Sequence, residues 1–130
     1  MKRVDVDKLE RLIGQIDSLR QELGALVKKA PNDLVNSFKL RFVNQVLTGV
    51  NAFLGKKSIP LEGFTHFEDD APPSNSDVTF VLAQYAEALD LYRSGNVFMQ
   101  GGAWYYEIDD VSDDDETIRT SPPVSLARKS

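Results

Sequence analysis

The chain has 130 residues, of which 42% are hydrophobic and 27% charged, and a net charge of −5; that suits one hydrophobic core and falls short of two. The absence of cysteine excludes disulfides, thiolate nucleophiles and cysteine-ligated zinc together. No apolar run approaches the roughly 20 residues that cross a bilayer, and the charged opening Met1-Lys2-Arg3-Val4-Asp5-Val6-Asp7 has no signal-peptide core, so the expected setting is cytoplasmic, with no membrane partner.

The charge is unevenly placed. Residues 1–106 carry 12 Lys and Arg against 13 Asp and Glu, whereas residues 107–130 carry 3 against 7. A nearly neutral body does not offer the clustered cations that neutralise phosphates, so no direct nucleic-acid partner is expected. Lys28-Lys29 and Lys56-Lys57 fall where helices are expected to end, and there they complement the helix dipole.

Residues 7–29 carry the clearest periodic signal. Leu9, Leu12, Ile16, Leu19, Leu23 and Leu26 recur at alternating intervals of three and four, a heptad seam along one side of a helix. Asp7 with Glu10 three residues on reads as a capping box. Such a seam packs against other helices of its own chain or pairs with a second copy as a coiled coil. Ile13 and Val27 widen the stripe, and the off-seam Gly14 and Gly24 weaken an isolated coiled coil. Intramolecular packing is therefore the first expectation, and a homodimer, a structural subunit assembled through this face, is the alternative.

Pro31 ends that helix, Asn32 or Asp33 can cap the next, and Gly55 can stop it after Leu54. Its apolar residues, among them Leu34, Val35, Phe38, Phe42, Val46 and Phe53, cover more than half of the helix circumference, which predicts burial on two sides. Phe38, Phe42 and Phe53 read as core rather than as a ligand pocket. Residues 55–76 form a long connection with breakers at Ile59-Pro60, Gly63 and Pro72-Pro73. His66, beside Glu68-Asp69-Asp70, is the only histidine; with no second positioned group it reads as an exposed or satisfied side chain, and no metal or cofactor is expected.

Ser74-x-x-Asp77 opens a third helix that runs to about Tyr92, with Val78, Val81, Leu82, Tyr85 and Leu89 on one face and Gly95-Asn96 as the stop. Ala83, Ala86 and Ala88 permit a neighbouring helix to come close. The period then changes: Val97–Gln100 and Ala103–Ile108 flank Gly101-Gly102, a hairpin signal rich in aromatic residues. Phe98, Met99, Trp104, Tyr105 and Tyr106 resemble interface anchors in composition and form the expected partner-binding cluster, unless their rings close the core.

From Asp109 the chain becomes strongly acidic and then polar, so residues 109–130 are expected to be a disordered acidic tail on a helical domain of residues 1–108. Asp109, Asp110, Asp113, Asp114, Asp115 and Glu116 either keep the chain in solution or mimic a phosphate backbone in the basic groove of a nucleic-acid-binding protein. They lack the alternating ligands and the glycine of an EF-hand. No P-loop, dinucleotide fingerprint, metalloprotease or nucleophile-elbow motif occurs. The sequence thus predicts a mainly α, three-helix bundle-like domain with a C-terminal β-hairpin, and a non-catalytic regulatory or adaptor protein that binds a protein partner through the hairpin and exposed bundle surface. The alternatives are the acidic mimic and the structural subunit.

Overall fold

In the computed structural model, which describes residues 1–55, 58–109 and 118–123, the heptad seam becomes helix α1 (Arg3–Lys29). The helix begins earlier than expected, with Lys2 as its cap; the Lys2 amide donates to Asp5 Oδ2 at 3.2 Å, and Asp5 places negative charge at the positive end of the dipole. Asp7 therefore lies inside the helix. Leu9, Leu12, Ile16 and Leu23 are buried together with Val6, and Leu19 and Leu26 pack against the same core. The seam Leu9, Leu12, Ile16, Leu19, Leu23 and Leu26 is thus occupied within the chain, which corrects its reading as a self-association face. Two further helices cover it before a second copy can.

Those helices are α2 (Ser37–Leu54) and α3 (Asn75–Ser94). Helix α2 starts at the Asn36 cap, whose Oδ1 accepts the Lys39 amide at 2.8 Å, rather than at Asn32 or Asp33. The reason lies in the backbone. Residues 31–35 run beside the start of α3: Val35 donates to the Pro73 carbonyl at 2.9 Å, Asn75 to Asp33 at 2.8 Å and Ser76 to Pro31 at 3.0 Å. Those donors and carbonyls are satisfied by this extended pairing and have no need of a helix.

Helix α2 buries Leu40, Val43, Val46, Leu47 and Val50. A Cβ on Gly49 would lie 3.3 Å from Leu12 Cδ2, so the missing side chain allows the close approach of α1. Burial on two sides does not extend to the start of the helix, where Phe38 is 66% exposed and Phe42 48%. These rings meet edge to face at 5.1 Å on the surface, whereas Phe53 packs against Tyr92 at 5.0 Å. The long connection is fastened by two asparagines of α2. Asn44 accepts the Phe67 amide and donates to its carbonyl, while Asn51 donates to the Thr65 carbonyl and accepts from the Tyr85 hydroxyl.

Ser74 caps α3 as expected, accepting the Asp77 amide at 3.1 Å, and Val78, Val81, Leu82, Tyr85 and Leu89 complete the core. Strands β1 (Val97–Gln100) and β2 (Ala103–Tyr106) then form the hairpin, with Phe98 opposite Tyr105 and Met99 opposite Trp104. Gly101 and Gly102 both have positive φ, 61° and 82°, as a tight turn matching the strand twist requires. A third strand, β3 (Arg119–Thr120), pairs antiparallel with β2 and makes the sheet order β1-β2-β3. Residues 118–123, expected within the disordered tail, thus return to the body. Ile118 packs against the core, Pro123 is buried, and the Tyr106 amide donates to the Ile118 carbonyl at 3.0 Å. None of the described helices is long and apolar enough to cross a membrane.

The buried seam has a direct consequence for stability. Ile16→Ala leaves a cavity between helices and is expected to lower unfolding free energy by about 2–4 kcal/mol. Urea unfolding at two protein concentrations tests the assignment: the midpoint should be independent of concentration, and a concentration-dependent midpoint would show the seam to be shared between copies.

Candidate protein-binding surface

The hairpin residues divide by the alternation of the strands. Val97 and Tyr106 point into the core, Tyr106 at 2% exposure, and Trp104 is half-buried against it. Tyr106 and Trp104 therefore finish the core, and Tyr106 is withdrawn as a partner contact because a ring with no accessible surface cannot touch one. Phe98 and Tyr105 sit opposite each other on the other face, ring centroids 5.9 Å apart and half-exposed. Met99, near the turn, is 63% exposed. Three of the five expected residues thus stay at the surface.

The larger feature is a groove of about 620 Å³ between α1 and α3. Glu10, Ile13, Asp17 and Arg20 line one wall, again at intervals of three and four, so they form a second seam beside the buried one. Ala83 and Ala86 lie opposite, where small side chains leave the space open, and Leu91, 68% exposed, stands at the lip. Ile13, Ala83 and Ala86 are half-exposed and form the apolar floor, the carboxylates of Glu10, Asp17 and Glu87 and the guanidinium of Arg20 are exposed along the rim, and the Asp90–Arg93 pair lies deeper at one end. Thr120 and Ser121 close one end.

Arg93 is the polar centre of that end. It is only 6% exposed, and a buried guanidinium is tolerable only when its donors are used. Nη1 donates to Thr120 Oγ1 at 2.9 Å, to the Ser121 carbonyl at 2.7 Å and to Ser121 Oγ at 3.2 Å. Nη2 donates to Asp90 Oδ1 at 3.1 Å and to the Pro122 carbonyl at 3.3 Å. Nearby, the Tyr106 hydroxyl donates to Glu10 Oε1. That hydroxyl is pushed up to about 12, first by burial and then by its bond to the Glu10 carboxylate, with Thr120 and Arg93 opposing the rise. Sequence reasoning missed both Arg93 and Glu10. Arg93 follows Leu89 by four residues and so continues the inward stripe of α3, the one signal that could have marked it.

The other sequence candidates are not gathered into a site. His66 is exposed, its Nδ1 3.0 Å from Thr65 Oγ1 and its Nε2 3.7 Å from Glu68. Among the described residues no three metal-ligating side chains converge. Asp109 Oδ2 lies 2.9 Å from the Met1 amino group, whereas Asp110, Asp113, Asp114, Asp115 and Glu116 lie outside the described residues. Comparison with known proteins finds no matching family model, no similar curated protein and no similar solved structure.

The raised Tyr106 hydroxyl links stability to alkaline pH. An unfolded tyrosine titrates near 10, so between about 10 and 12 the unfolded chain releases a proton that the folded one keeps. The stabilisation is complete below pH about 10 and is lost as pH rises through 12, a swing of about 2–3 kcal/mol at most. Tyr106→Phe should cost about 1–2 kcal/mol at pH 7 through the lost hydrogen bond, and the gap from wild type should close at alkaline pH. Parallel declines of the two proteins in urea unfolding across this range would refute the link.

Proposed function

We propose that this chain is a small, non-catalytic cytoplasmic adaptor or regulatory protein that holds an amphipathic segment of a protein partner in the α1–α3 groove, acting by bridging or occlusion. The observation that carries this reading is the groove's anatomy. An apolar floor of Ile13, Ala83 and Ala86 beneath a charged rim has the arrangement of an interface core and its surround. With the Arg93–Asp90 ion pair set aside as internally matched, three carboxylates, Glu10, Asp17 and Glu87, line the groove against one guanidinium, Arg20. The complementary partner is thus a segment with apolar residues at helical spacing and Lys or Arg beside them. Phe98, Met99 and Tyr105 on the sheet supply a second contact.

Filling the groove tests the proposal. Ala83→Lys and Ala86→Arg together, both at half-exposed positions, should leave the unfolding midpoint nearly unchanged and lower the recovery of specific partners from lysate at least about 10-fold, an effect of the size of one lost hot spot. Phe98→Ser with Tyr105→Ser should give a smaller loss. Partners retained by the filled groove but lost with the sheet variant would move recognition to the hairpin. Partners retained by both would remove the proposal.

A further inference from the structure

The segment 118–123 is held to the body by the pairing of Thr120 with Trp104 and of Arg119 with Tyr105, the Tyr106 amide on the Ile118 carbonyl at 3.0 Å, the packing of Ile118 against the core, the burial of Pro123, the Thr120 side chain at the Tyr106 hydroxyl, and the hydrogen bonds of Arg93 to Thr120, Ser121 and Pro122. All four bonds from Arg93 to this segment leave the two terminal nitrogens of one guanidinium. A planar fork with fixed geometry can hold hydroxyl and carbonyl groups in this way, and an ammonium cannot.

A second force acts against these attachments. The eleven residues between Tyr106 and Ile118 carry seven carboxylates, Glu107, Asp109, Asp110, Asp113, Asp114, Asp115 and Glu116, and neither lysine nor arginine. The pairing of Tyr106 with Ile118 brings the two ends of that stretch together at 3.0 Å. Apart from Asp109, whose carboxylate lies 2.9 Å from the Met1 amino group, like charges this close in sequence repel over the Debye length, about 8 Å at physiological salt and about 30 Å at 0.01 M, so the repulsion grows as salt is removed.

We propose that residues 118–123 are a strap latched by Arg93 and loaded by the acidic stretch, which opens as a unit while the hairpin stays formed. Because Thr120 and Ser121 close one end of the α1–α3 groove, opening lengthens the groove. It also turns the Arg93 donors toward whatever lies in it. Arg93 then has the geometry to take the carbonyl and hydroxyl groups of a partner segment in place of those of the strap. The regulatory meaning of the opening rests on the groove being the partner site; the opening itself does not.

Two adjacent amides separate the outcomes. The Tyr106 amide is bonded to the strap at Ile118, whereas the Glu107 amide is bonded to the Asn96 carbonyl at 2.8 Å, at the base of the hairpin. Hydrogen exchange by NMR on the full chain, read as the Tyr106 to Glu107 ratio, reports strap opening alone. Raising salt from about 0.01 M to about 0.3 M should lower that ratio several-fold, since screening relieves the load. Asp113→Asn with Asp114→Asn and Asp115→Asn should lower it at low salt and remove most of the salt dependence. Arg93→Lys, which keeps the charge and loses the fork, should raise the ratio at least about 10-fold, the effect of losing about 1.4 kcal/mol of latch. A ratio indifferent to salt and to the three substitutions overturns the proposal. So does a joint acceleration of both amides in Arg93→Lys, which would make Arg93 a general support of the fold. Because no partner is present, failure here leaves the groove reading standing, and failure of the groove reading leaves the strap.

Discussion

One face of α1 organises this molecule. Its buried stripe, Val6, Leu9, Leu12, Ile16 and Leu23, is the surface on which α2 and α3 pack. Leu12 meets α2 at Gly49, and the start of the same helix receives the end of the hairpin, where Tyr106 bonds Glu10 and Asp109 bonds Met1. Two sets of residues on one helix, each at intervals of three and four, therefore have opposite fates. The stripe containing Leu9, Ile16 and Leu23 is sealed within the chain, and the neighbouring stripe of Glu10, Ile13, Asp17 and Arg20 forms an open wall. The geometry of a single helix thus fixes both the core and the groove beside it.

The polar groups buried within this frame follow from desolvation. A guanidinium or hydroxyl removed from water costs several kcal/mol unless it regains hydrogen bonds. Arg93 regains them mostly from the strap, Tyr106 from Glu10, Tyr85 from Asn51. Each of these bonds joins segments far apart in sequence, so they select one arrangement of otherwise interchangeable apolar surfaces. Arg93 differs from the other two in that its partners belong to a segment joined to β2 by a stretch rich in carboxylates.

The helices and the hairpin were legible because local rules governed them. The α1 seam, the Ser74 cap and the Gly101-Gly102 turn each depend on residues within a few positions of one another. What was illegible depended on distant partners. Asn32 and Asp33 are adequate caps, yet pairing with residues 73–76 keeps the preceding stretch extended and passes the cap to Asn36. Phe38 and Phe42 carry the periodicity of core residues, but among the described residues no element covers their side of α2, while Leu40 and Val43 beside them are buried. The composition of residues 109–130 reads as a solvated tail, and only the positions of Arg93 and β2 draw residues 118–123 back. In the hairpin, composition marks the aromatic rings, whereas the alternation of the paired strands assigns Tyr106 inward and Tyr105 outward.

The groove lies between α1 and α3, beside the core. Alanines at 83 and 86 prevent the chain from filling that space with its own side chains, at the cost of leaving Leu91 exposed and Ile13 half-exposed. Fully burying two such side chains yields roughly 3–6 kcal/mol. Association consumes about 4 kcal/mol or more in lost translation and rotation before any gain appears. The apolar floor alone therefore cannot hold a segment tightly, and the rim must contribute the remainder. Exposed rim charges act mainly on encounter rate and on the choice of partner. On the proposed reading the groove therefore binds reversibly and selects by charge, and an additional anchor such as the Arg93 fork would have its largest effect where the floor alone falls just short.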